Sequence, residues 1–311
     1  MATLTRESVS KMGGASPRPA TVGERPIRVI EAPTNLGLKP PRPGREPGTR
    51  RLPEALAAAG LFSRLGLRRG LRIEPPPYSP LVHPATGVRN APAIARYSLE
   101  VARAVGEALD RGAFPFVLGG DCSVLLGNAL ALRRRGRYGL IFIDGHADFS
   151  TPETSESHGA AGMDLAIATG HGPGLLANPN GLRPLLREQD VVILGIRGED
   201  PEAEGISAYS VEKLRKTGIA PAARREIARL RSHDLLGFWI HVDADVLDES
   251  LMPAVDSPSP GGLSFEELTA ILREFLRSGA AVGMHVGIYD PDRDPDGRCA
   301  KGLVEALVNA F

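Results

Sequence analysis

An α/β fold, a single three-layer αβα domain around a mostly parallel sheet, is what the sequence predicts, and three observations predict it. Short apolar runs of strand length alternate with segments whose apolar residues recur at helical spacing, from about Arg28 to the C-terminus. That alternation is the pattern of parallel strands joined by helical crossovers. No internal repeat and no linker-like stretch divides this span, so one domain over residues 25–311 accounts for it. Finally, carboxylates, histidine and cysteine gather directly after apolar runs, and open α/β sheets place their sites beyond the carboxyl ends of the strands.

In chain order, residues 1–24 mix Ser, Gly, Pro and charge without a period and predict a disordered tail. Arg28–Ile30 is a short apolar run and predicts the first strand. Asn35–Thr49 is rich in Gly and Pro and predicts a loop, and Arg51–Leu61 has helical spacing. Arg72–Asn90 is Pro-rich and irregular, and Ala91–Arg111 predicts a long helix stopped at Gly112. Phe114–Leu118 predicts a strand, Gly119–Asp121 a turn, Val124–Arg135 a helix and Gly139–Asp144 another strand. Further strands are expected at Asp190–Ile196, Leu236–Asp243 and Ala281–Tyr289. Helices are expected at Ser210–Thr217, Pro221–Ser232, Ser264–Ser278 and Lys301–Phe311.

Composition narrows the function classes. The 311 residues carry no net charge, which argues against a nucleic-acid-binding protein and against an acidic solvating tail. The longest apolar runs, such as Leu56–Leu61 and Gly279–Met284, fall far short of the ~18 residues of a membrane span. Two cysteines give no disulfide framework, and the N-terminus has no apolar leader core, so a cytoplasmic protein is expected. Only five of the 37 basic residues are lysine, a bias read as codon composition.

Three motifs carry chemistry. Asp144-Gly145-His146-Ala147-Asp148 follows a strand and places carboxylate, imidazole and carboxylate at alternate positions. On extended backbone these share a face, an arrangement suited to a metal ion. The competing reading is a polar loop of solvated carboxylates. His241-Val242-Asp243-Ala244-Asp245 repeats the logic with Asp243 and Asp245, and Asp248 nearby. Two carboxylates at a buried strand end need a counter-charge that a metal supplies, unless the turn merely caps a helix. His241 has the parity of Asp243 but lies deeper and is read as a core histidine or a support for the ligands. Gly119-Gly120-Asp121-Cys122-Ser123 joins a strand to a helix. Its cysteine is expected at the exposed end of the sheet, near a helix N-terminus, which favours thiolate, the alternative being a small buried hydrophobe.

Together these three strand ends resemble one family, the ureohydrolases, which include arginase, agmatinase and formimidoylglutamase. Its Gly-Gly-Asp/Glu-His, Asp-Ala-His-x-Asp and Asp-x-Asp motifs are similar to Gly119–Cys122, Asp144–Asp148 and Asp243–Asp245. Pro253 and Ser257–Leu263 resemble the family's Pro-rich Gly-Gly segment. The resemblance implies a metal-dependent hydrolase of linear amidine C–N bonds with a binuclear manganese centre. Asp144 and Asp243 would bridge the ions, Cys122 and Asp148 would complete one ligand set, and His146 and Asp245 the other. Two ions ~4 Å apart acidify a shared water for attack on the amidine carbon. The resemblance also implies a small guanidino substrate and a homo-oligomer, trimer or hexamer.

The chain departs from the family pattern in three places. Cys122 stands where most members have histidine. A thiolate is softer than imidazole and admits other transition metals, and arginase-like hydrolases of N-hydroxyarginine are similar in carrying cysteine there. The position of the arginase proton shuttle falls on Ala161, and His158, in Ser157-His158-Gly159, is the expected replacement. Near the end of the last strand the family's guanidinium-gripping Glu is missing. His285 is its expected polar counterpart, with Ile288 the alternative on a gapless count. A neutral imidazole there would favour a less basic N-hydroxyguanidine. The site would keep one net negative charge, a thiolate having replaced the lost carboxylate. The resemblance further places Asp200 at the substrate α-amino group and Ser150 and Ser157 at its α-carboxylate. The reading is thus a hydrolase releasing urea or hydroxyurea from a guanidino or N-hydroxyguanidino amino acid. The alternatives are an agmatinase- or formimino-type enzyme and a catalytically degenerate subunit.

Overall fold

Runs dominated by branched and aromatic residues form the strands, and in this computed structural model, which describes residues 21–197 and 205–311, they assemble into one nine-stranded sheet. The strands are β1 (Thr21–Val22), β2 (Arg25–Ala32), β3 (Leu71–Arg72), β4 (Phe114–Gly119), β5 (Gly139–Ile143), β6 (Val191–Ile196), β7 (Ser207–Ser210), β8 (Phe238–Asp243) and β9 (Ala281–Gly287). Their order is β1-β2-β4-β9-β8-β5-β6-β7, with β3 also on β2. Every pairing is parallel except that of β1 with β2. The chain lays down β2 and β4, crosses to β5, β6 and β7, then returns to fill the gap with β8 and β9. The carboxyl ends of β4, β9, β8 and β5 therefore stand side by side at the switch in strand order, where α/β sheets bind ligands.

Among the described residues, ten α-helices cover the sheet: α1 (Leu52–Ala58), α2 (Leu61–Leu65), α3 (Ala91–Asp110), α4 (Val124–Arg133), α5 (Asp164–Ala168), α6 (Gly174–Ala177), α7 (Val211–Thr217), α8 (Ile219–Arg231), α9 (Phe265–Arg277) and α10 (Arg298–Ala310). Alternation along the strands builds two cores. Val117, Leu140, Phe142 and Trp239 pack on one face with α3 and α4. Phe116, Ile141, Ile240 and Val286 pack on the other with α9 and α10. Helix starts follow local chemistry. Ser264 and Glu267 form a reciprocal capping box on α9, and Ser210 caps α7 by accepting from the Lys213 amide.

The structure differs from expectation in several places. Strand pairing begins at Thr21, inside the segment expected to be a disordered tail, because Gly23 at φ +62° turns the chain back onto the free edge of β2 and buries Val22. The first strand runs through eight residues rather than three, since β4 offers partners along most of its length. β7 and the short helices between Ala160 and Gly181 have no strong periodicity and form in tertiary context. No helix among the described residues is long and apolar enough to cross a membrane.

Candidate metal centre

Each motif arrives on its own strand end. Asp243 closes β8 and is buried, its Oδ1 accepting the Asp245 amide at 2.6 Å. The loop after β5 places Asp144, which accepts the His146 amide on Oδ1 at 2.7 Å while its buried Oδ2 has no protein partner. Asp148 sits at φ +46°, a left-handed conformation unusual for a non-glycine residue and found where a site over-determines the backbone. His146 Nδ1 lies 2.9 Å from Asp245 Oδ2, and that carboxylate also accepts the Gly145 amide on Oδ1 at 3.1 Å. The double glycine after β4 has a steric cause. A Cβ on Gly119 would run into the His285 imidazole and one on Gly120 into the Thr34 carbonyl.

The ligand atoms converge in overlapping groups. Cys122, Asp144, Asp148 and Asp243 each offer one atom within 4.8 Å of the others, and Asp144, His146 and Asp245 do the same. Asp144 belongs to both groups. Burial, and next the neighbouring carboxylates, push Asp144 and Asp148 well above the usual carboxylate range, and Asp243 likewise. Such a cluster of like charges is costly without a counter-ion, and divalent cations supply it. The unpartnered Asp144 Oδ2 and the mixed O, N and S donors fit that role.

Cys122 is fully buried rather than at an exposed end of the sheet. Burial first, and then Asp243, push its thiol well above the ordinary cysteine range, so without metal it is an S–H donating to Asp243 Oδ2 at 2.9 Å. The expectation of a thiolate favoured by the helix end alone is thereby corrected, because burial, and after it four neighbouring aspartates, outweigh one helix terminus. If Cys122 is a ligand, Cys122→Ala loses about one ion per chain and Cys122→His keeps two, which metal analysis of the purified variants measures. Equal metal content in wild type and Cys122→Ala would reduce the cysteine to packing.

Above the cluster opens a cleft of about 720 Å³, walled by Ser150, Ser157, Ala161, Asp256, Lys39 and Ile288 and floored by His146, Asp148, Asp243 and Asp245. Ser150 and Ser157 thus line the cleft. His158 does not. Its Nδ1 lies 3.0 Å from the Gly87 carbonyl and its own carbonyl accepts from the Arg89 amide, so the ring is tied to a neighbouring loop. The proton-transfer assignment to His158 is corrected accordingly.

His285 is corrected as well. It lies within β9, fully buried, against His241, and burial depresses its pKa to about 3. The residue of β9's end that lines the cleft is Ile288, held at φ +69° with its amide on the Gly120 carbonyl at 2.7 Å. A side chain inside a strand packed on both edges cannot reach past the strand end. His285 is therefore not placed to tune substrate choice, contrary to the expectation from sequence. Asp200 lies outside the described residues.

Three residues escaped the motif reading. Arg197, at the end of β6, donates to the Asp245 carbonyl, to the Val246 carbonyl at 3.0 Å and to Ser259 Oγ at 2.9 Å, tying the ligand turn to the Pro-rich segment. Its guanidinium also occupies the space a Cβ on Gly145 would need. Asp256 is, among the described residues, the cleft's one carboxylate outside the proposed ligands, and burial raises its pKa. Asp164, at the start of α5, is fully buried with neither carboxylate oxygen partnered. Only the position of Arg197 after an apolar run was a signal in the sequence.

The Arginase family model matches residues 25–311. An arginase of Bacillus caldovelox is 32% identical over 257 residues, 78% of this chain and 83% of that protein. An arginase of Brevibacillus brevis is 31% identical over 297 residues, 92% and 97% of the two chains. The solved structure of the Bacillus caldovelox arginase superposes with a TM-score of 0.82 at 28% identity, covering 92% of this chain and 98% of that one. With this family match over nearly the whole described fold, and with groups that could hold metal ions at the ends of β4, β5 and β8, the chain belongs to the Arginase family and is a metal-dependent hydrolase of C–N bonds.

Proposed function

We propose that the chain hydrolyses a guanidino compound of amino-acid character, releasing urea and an amine, at a binuclear centre held by Cys122, Asp144, His146, Asp148, Asp243 and Asp245. The observation that carries this reading is that two overlapping ligand groups share the buried Asp144, and that His146, Asp148, Asp243 and Asp245 of those groups floor an open cleft. Manganese is the ion the family relationship favours, and when bound such ions supply acidified water and stabilise developing negative charge. The relationship equally favours a homo-oligomer, which light scattering on purified protein tests.

The cleft walls have the charges such a substrate needs. Ser150, Ser157 and the cation of Lys39 line it and suit a carboxylate end. Asp256 suits the guanidinium end, because a half-buried carboxylate gains from a cation with paired N–H donors. Ile288 supplies an apolar wall near the position at which the family pattern has a Glu. With Asp256 in the cleft and His285 outside it, nothing in the geometry favours N-hydroxyguanidines over guanidines.

The test is amine and urea release from guanidino, N-hydroxyguanidino, decarboxylated and formimino compounds by metal-loaded protein. Asp256→Asn is expected to raise KM for the cationic guanidino amino acid by about tenfold or more, the equivalent of one charge-assisted hydrogen bond, with a smaller change in kcat. Preference for a compound lacking the carboxylate would move the reading to the agmatinase type. No turnover of any of them by protein holding two ions would favour a degenerate subunit.

A further inference from the structure

We propose that His241 is a ligand to the ion beside Cys122, an inference that rests on the binuclear-centre reading and adds a donor to it. His241 on β8 and His285 on β9 are register partners in adjacent parallel strands, and both rings are fully buried. The His241 ring stacks on Phe142, with centroids 4.6 Å apart and planes 8° from parallel. Its Nδ1 lies 3.2 Å from His285 Nδ1, so one of the two nitrogens donates and the other accepts. Its Nε2 is buried and has no protein partner.

A ring nitrogen of His241, the Cys122 sulfur and an Asp144 oxygen lie within 4.8 Å of one another, all three residues buried. Asp144 Oδ2 is likewise without a partner. Orphaned polar atoms in a sealed interior are costly, and a cation held among His241, Asp144 and Cys122 would satisfy the unpartnered nitrogen of the first and oxygen of the second, leaving His285 Nε2 as the one ring nitrogen of the pair without a partner. Coordination through Nε2 places the His241 proton on Nδ1, where it donates to His285. That outer bond fixes the tautomer and aims the ring, as the second nitrogen of metal-bound histidines commonly does. His285 is thus a positioning residue. It is held under the cluster by Gly119, whose missing Cβ makes room for it, and Gly287 leaves space beside it. The resulting sulfur, nitrogen and oxygen set is softer than carboxylates alone and suits cobalt or zinc at this position.

Cobalt(II) loading of the full-length protein tests the assignment by proton NMR. A ligating His241 gives a strongly shifted imidazole N–H resonance that persists in D2O, because its ring is sealed. Any such signal from His146 exchanges quickly, its side chain being 40% exposed. The persistent resonance is expected in wild type and absent from His241→Gln, together with at least about tenfold weaker binding of the cobalt ion that shows thiolate charge-transfer absorption. Cobalt-loaded wild type with thiolate absorption but no persistent imidazole resonance overturns the proposal while leaving the binuclear centre standing. The wild-type spectrum decides this even if the variant fails to fold. Failure of the protein to bind either cobalt or manganese overturns both readings.

Discussion

Asp243→Asn is expected to lower kcat/KM by about 10³-fold or more, a loss of transition-state stabilisation on the order of 4 kcal/mol, and to cut the metal content below two ions per chain. Asp243 ends β8 on the floor of the cleft, within reach of Cys122, Asp144 and Asp148. Its replacement removes an anionic ligand from the group while keeping the side chain's shape and its acceptor for the Asp245 amide. The effect on stability should have opposite signs in the two forms. Without metal the variant loses one of several crowded buried carboxylates, so its apo form should melt at or above the wild-type apo temperature. With metal at 100 times its Kd, one site stabilises the wild type by about 2.7 kcal/mol, and the variant should forgo most of that. Metal analysis together with thermal unfolding in chelator and in manganese reads both. Undiminished metal content and an unchanged metal-induced shift would remove Asp243 from the centre.

The second large effect is a pH dependence that reverses when metal is removed. In the metal-free fold, burial and neighbouring charges raise Asp144, Asp148, Asp164 and Asp243 well above the usual carboxylate range. Unfolded aspartates titrate near ~3.9, so above that pH the folded apo protein binds more protons than the unfolded chain. The stabilisation these groups give is then fully present below about pH 4 and drains away as pH rises through their folded values. Metal binding requires deprotonated ligands and inverts the sign for the ligand carboxylates. Their contribution is then present above about pH 4 and is lost as pH falls. The gain in melting temperature on adding metal should therefore be small at pH 5 and large at pH 8. Other ion pairs cancel in that difference because both forms share them. A metal-induced gain that is flat or shrinks between those pH values would show that the carboxylates are not the ligands.

The sequence by itself determined the architecture and the position of the chemistry. Strand-length apolar runs at Phe114–Leu118, Gly139–Asp144 and Leu236–Asp243 each lead into residues of types that can hold a metal, and the period of a strand dictates which of those residues share a face. Local pattern suffices there because a ligand motif and the strand that delivers it are contiguous in the chain. What pattern could not reach was relation across the sheet. Whether His285 faces the cleft depends on how far β9 runs and on what lies beside it. Pairing with β4 and β8 keeps it inside, opposite His241, and hands the cleft wall to Ile288. Nothing near His158 in sequence announces that Gly87, 71 residues away, supplies a carbonyl for its ring. Asp256 and Lys39 sit in loops without a period and meet only across the cleft. The ionisation of Cys122 was likewise a tertiary outcome, since the burial and the aspartates that keep its proton come from other segments packed around it. Contiguous residues are organised by backbone geometry, which sequence displays. The partners of a buried side chain are chosen by strand order and loop closure, which only the folded chain decides.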